Sequence, residues 1–178
     1  MIKRNTKIAF GSLISATATV IMLLAYFPYA TYAVPAIAGV LFAAVNIEIG
    51  KKWAYSSYII TAVISLILCE KESAVLFTLF FGFYPIIKGS VESRFSSRVA
   101  EYIIKFLCFN LCIIVSYIII VYVFGIPMDE TGNFGKFFAA GLLLAGNVVF
   151  LIYDIGLTRL ISYYFAKYHT KISKLLKR

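Results

Sequence analysis

The sequence predicts an all-α, polytopic membrane protein: a six-transmembrane-helix bundle forming a single integral membrane domain over residues 1–178. Both termini are expected to be cytoplasmic, and an amphipathic helical extension follows the last span. Three observations carry this reading. Of the 178 residues, 62% are hydrophobic and 14% are charged, against about 45–50% and about 25% in soluble domains; the mean hydropathy is +0.91. The apolar residues gather in long uncharged runs that are apolar on every face, whereas barrel strands would alternate at every second position. All but two of the seventeen Lys and Arg residues fall in alternate connections between those runs. A chain this short cannot hide so much apolar surface from water. The composition therefore argues against a cytosolic enzyme, a secreted disulfide scaffold and a disordered tail.

The spans are read at about 8–27, 30–47, 53–69, 73–88, 105–127 and 136–156. Each approaches the roughly 20 residues that a helix needs to cross hydrocarbon. The fourth is short, and Lys88 extends it by snorkelling. Lys3, Arg4 and Lys7 precede the first run as they would in a signal peptide, but the run is long enough to be retained as a span. Lys71 and Lys136 lie on one side, with Glu70, Glu72, Asp129 and Glu130, and the remaining cations lie on the other. The positive-inside rule puts that second side, with both termini, in the cytoplasm. The expected location is a bacterial cell (inner) membrane.

Within this frame, Pro85 removes an amide and crowds the preceding turn, so the fourth span should kink near Phe81–Gly82. In the tail over 158–178, Leu160, Ile161, Tyr164, Phe165, Tyr168, Ile172, Leu175 and Leu176 recur at helical spacing with Lys and Arg between them. Such a helix lies at the interface, drawn to anionic headgroups. Cys69, Cys108 and Cys112 lie in apolar runs without a metal-site spacing and read as small hydrophobes.

Few residues are suited to chemistry. Ionisable groups inside a membrane are costly and call for partners. Glu48, Lys88, Lys105, Asp154 and Arg159 fall at one depth near the cytoplasmic side, with Glu48 close to Lys51 and Lys52 and Asp154 near Arg159. They read as an ion-pair network, either fixing helix packing or serving a coupling or gating step. Asn110 and Asn147 are the deepest polar groups by position. They either bond neighbouring helices or line a substrate site together with Tyr26, Tyr29, Tyr117 and Tyr122. Gly11 with Ser15, and Ser12 with Ala16, make small-xxx-small spacings that permit close helix approach, internal or to a partner. The single histidine, His169, has no second ligand or nucleophile beside it, and no phosphate-binding loop is present, so neither catalysis, metal nor cofactor is expected. Cations clustered between apolar runs match membrane flanks, and nucleic acid is not an expected partner.

Six spans in 178 residues, the small-residue stretch Ala9–Ala18, Tyr32-Ala-Val-Pro35, Gly39, and the connection Glu48-Ile-Gly-Lys-Lys-Trp-Ala54 before a serine-bearing third span are similar to one family. The chain resembles the substrate-binding (S) components of energy-coupling factor transporters. That resemblance implies a subunit that binds a small, vitamin-like molecule near its outer face. It would dock through its first helix, at Gly11, Ser12, Ser15 and Ala16, on a transmembrane coupling subunit driven by ATPases. A small apolar or neutral substrate suits the residues present. The alternative is a non-enzymatic scaffold or assembly protein of a bacterial envelope complex, in which the basic loops and tail meet partners or the lipid bilayer.

Overall fold

The computed structural model describes residues 2–27, 30–95, 97–125 and 135–176, with the side chains of 135–140 and 142 excepted. The described residues are predominantly helical, without a strand among them. In chain order they form α1 (Arg4–Leu23), α2 (Ala33–Ile49), α3 (Lys51–Leu68), α4 (Lys71–Leu76), α5 (Tyr84–Arg94), α6 (Arg98–Ile118), α7 (Gly135–Tyr164) and α8 (Thr170–Leu176). Wider π-turns at Phe77–Phe81, Ile119–Val123 and Phe165–His169 follow α4, α6 and α7.

Four segments, Arg4–Tyr26, Lys71–Arg94, Arg98–Val123 and Leu143–Leu176, are long and apolar enough to cross a membrane. α2 is apolar but stops at 17 residues. α3 has 18 residues, but it opens with Lys51 and Lys52 and carries four Tyr and Ser positions in its first half, which lowers its hydropathy. Leu107, Leu111, Leu144, Val149, Ile152, Ile67 and Val20 all point outward. So much outward apolar surface fits a bilayer rather than water.

α1, α2 and α3 pack on one another around Ala18, Met22, Ala38, Phe42, Ala54 and Ala62. Small residues at these contacts let the backbones come close. Gly50 makes the α2–α3 turn at φ 94°, a conformation that favours glycine. A second core holds Phe80, Tyr84, Phe109, Phe150 and Leu157. There Phe109 stacks on Phe150 at 4.7 Å, and Phe80 stacks on Tyr84 at 4.8 Å.

The fourth span is broken where its proline falls. The π-turn is closed by the Gly82 amide donating to the Phe77 carbonyl at 2.8 Å. Pro85, at the start of α5, offers no N–H to the Phe81 carbonyl four residues back. That carbonyl lies instead against Gly39 of α2, where a Cβ would overlap it. The break lets Phe77 enter the first core and Phe80 the second. Beyond it, α5 runs on to Arg94, past the end read for this span.

The last helix runs on past its span into the tail, as the sequence reading of a helical extension expects. α7 continues unbroken through 156 to Tyr164, about 45 Å at 1.5 Å per residue. The helix continues through the wider turn at Phe165–His169 into α8, where Leu176 is buried in the first core, and Ile172 and Ile2 pack against that core. The amphipathic tail thus has one side committed to the protein.

Candidate functional site

The largest polar constellation joins α5, α6 and α7. Tyr84, Lys88 and Glu92 stand one turn apart on α5, Glu101 and Lys105 one turn apart on α6, and Asp154 comes from α7. Lys88 is 1%, Lys105 2% and Asp154 3% exposed. Asp154 Oδ1 meets the Lys88 ammonium and accepts the Tyr84 hydroxyl at 2.6 Å. Its Oδ2 lies 3.1 Å from Lys105 Nζ. Glu92 Oε1 bridges both lysines, at 2.6 Å from Lys88 and 2.8 Å from Lys105. Glu101 Oε1 is 2.6 Å from Lys105. The three N–H donors of Lys105 therefore match three carboxylates. Ions at this depth lose several kcal/mol of solvation each, and only multiple close partners offset that. The arrangement is a clasp across three helices, with Glu92, one-third exposed, as its edge toward solvent.

Glu48 and Arg159 stand apart from it. Glu48 does not turn to Lys51 or Lys52. Its buried Oε1 accepts the Tyr164 hydroxyl at 2.8 Å and lies 2.9 Å from His169 Nδ1, which ties the end of α2 to the C-terminal segment. The Lys51 ammonium instead contacts the Ser90 hydroxyl of α5. Arg159 is exposed, and no ion pair involves it among the described residues.

Asn110 and Asn147 do come together. Each amide donates to the other's carbonyl oxygen, at 2.8 and 3.1 Å, and to the backbone carbonyl one turn back, Phe106 or Leu143. All four N–H donors of the pair are used within α6 and α7. Tyr26, Tyr117 and Tyr122 make no hydrogen bond to the pair. Tyr117 is exposed, and Tyr122 is 80% exposed near the end of α6. Tyr26 caps α3 by donating to the Leu68 carbonyl at 2.9 Å. Tyr29 lies outside the described residues.

The small-residue face is divided. A Cβ on Gly11 would stand 2.8 Å from the Ser57 hydroxyl, and the Ser15 hydroxyl donates to the Ser57 carbonyl at 3.1 Å. Those two positions seat α1 against α3. Ser12 and Ala16 remain exposed, at the edge of a groove of about 280 Å³ between α1 and α3 whose lining also includes Thr19, Trp53, Ser56 and Ile60.

Tyr84, Glu92, Tyr164 and His169 are the site residues that sequence reasoning did not select. The 84–88–92 ladder at helical spacing is a signal for the first two. The others meet Glu48 across 116 and 121 residues, and no local pattern points to that. Among the described residues, no three His, Cys, Asp or Glu side chains converge to hold a metal ion. No family model matches this chain, and no curated protein or solved structure matches it.

Proposed function

We propose that the chain is a six-span integral membrane subunit of a bacterial small-molecule importer, with both termini cytoplasmic. It would hold a small apolar or neutral substrate and leave energy transduction to separate subunits. One observation supports this most: the open groove between α1 and α3, whose small lining at Ser12, Ala16 and Ser56 allows a partner helix to approach closely. The clasp at Lys88, Lys105 and Asp154 would then keep α5–α7 fixed while α1 engages the partner. The test is affinity purification from native membranes. Recovery of ATPase-bearing partners, lost in S12L and A16L, supports the reading. Recovery of the same partners from both variants counts against it.

The envelope-scaffold reading draws on a different feature, the exposed cations Lys51, Lys52, Arg94, Arg98, Lys171 and Lys174. It requires that deleting residues 170–178 abolish partner recovery and leave substrate uptake unchanged.

A further inference from the structure

Among the described residues at the Lys/Arg-rich end, the acids all have partners within the protein, whereas of the cations only Lys88 and Lys105 are paired with them. Glu48 faces Tyr164 and His169, while Glu92, Glu101 and Asp154 face Lys88 and Lys105. By contrast, Lys51, Lys52, Arg94, Arg98, Arg159, Lys167, Lys171 and Lys174 are exposed. None of these eight forms an ion pair among the described residues. The described surface at this end is therefore predominantly positive, with Glu92 the partly exposed acid.

The C-terminal segment shows how that charge is presented. Its inner side is anchored twice, by Tyr164 and His169 on Glu48 and by Leu176 in the first core. On the outer side Tyr163, Phe165 and Tyr168 are exposed. Lys167 donates to the Tyr163 hydroxyl at 2.8 Å, and its ammonium lies 5.3 and 5.8 Å from the centres of the Tyr163 and Tyr168 rings. Aromatic rings with lysines beside them settle at headgroup level, rings toward the acyl boundary and ammonium groups on the phosphates.

We propose that residues 159–176 form a preformed shelf for anionic phospholipid headgroups, contacted by Lys167, Lys171 and Lys174. The Glu48 contacts fix the shelf before the lipid arrives, so little ordering remains to oppose binding. The inference rests on the chain lying in a bilayer and not on the importer reading.

The experiment uses the full chain in neutral detergent, offered equal amounts of phosphatidylglycerol and phosphatidylcholine, with retained lipid read by native mass spectrometry. Wild type should retain phosphatidylglycerol with about tenfold preference, and K167Q/K171Q/K174Q should bring the two lipids close to parity. E48A, which leaves every lysine in place, should also lower the preference. Excess inorganic phosphate should not displace the lipid. Equal retention by wild type, or an unchanged preference in the triple variant, overturns the proposal. Full preference in E48A removes the role given to the anchoring, and displacement by phosphate reassigns the site to a free anion.

Discussion

Asp154 on α7 and Lys88 on α5 form an ion pair that is almost wholly enclosed, 66 residues apart in the chain. Tyr84 donates to the same carboxylate oxygen from one turn before Lys88. Removing one partner of such a pair leaves the other charge buried with too few contacts, whereas removing both is far less costly. D154A should therefore lower the unfolding free energy in mixed micelles by about 3–5 kcal/mol. K88M/D154L should recover most of that loss, within about 1–2 kcal/mol of wild type. A D154A variant as stable as wild type contradicts the clasp.

Gly39 gives a steric test of the helix break. A methyl group there overlaps the Phe81 carbonyl, so G39A should cost about 1–3 kcal/mol. Gly89 is an internal control, since nothing lies within 4 Å of a Cβ added to it in the middle of α5. G89A should be neutral or stabilising by about 0.5–1 kcal/mol. Equal effects from the two substitutions, measured in one denaturing-detergent titration, contradict the Gly39–Phe81 contact.

The Asn110–Asn147 pair should behave as one unit. N110A and N147A should each cost about 0.6–2 kcal/mol, and the double variant little more than either alone. Additive losses show that the asparagines act through other partners.

The contacts of Glu48 predict the accessibility of the tail. Loss of hydrogen bonds worth about 1–2 kcal/mol should make the C-terminal segment open more often by a factor of roughly 5–30. Trypsin should then cut E48A after Lys171 and Lys174 faster by that factor, and L176A should behave alike. Unchanged cleavage in E48A means that the tail is held by other contacts.

The sequence announces what is local. Long apolar runs are enough for an all-α chain with membrane-length helices, because apolar character on every face leaves few other structures. Pro85 marks the broken helix for the same reason: a missing amide acts within one turn. Partners across the bundle are another matter. Arg159 stands five residues from Asp154, yet the aspartate meets Lys88 and Lys105, because α5 and α6 face α7 there. The Lys51 and Lys52 pair beside Glu48 likewise suggests a local contact, and His169 makes it from 121 residues away. The small residues of α1 are legible as a close-packing face. Which half is taken up inside depends on where Ser57 falls on α3, and spacing along α1 alone does not encode that. The tail is legible as amphipathic, but its contact with the first core is made through Ile172 and Leu176, two apolar residues among several of equal character.

The central claim is that a bilayer surrounds this chain and that the Lys/Arg-rich end faces the cytoplasm. Its most direct test places single cysteines in a background lacking Cys69, Cys108 and Cys112, then labels intact cells with a membrane-impermeant maleimide. Thr31→Cys and Lys71→Cys should react in intact cells, whereas Lys52→Cys, Ser93→Cys and Lys171→Cys should react only after the membrane is opened. Labelling of Lys52→Cys or Lys171→Cys from outside intact cells contradicts the account.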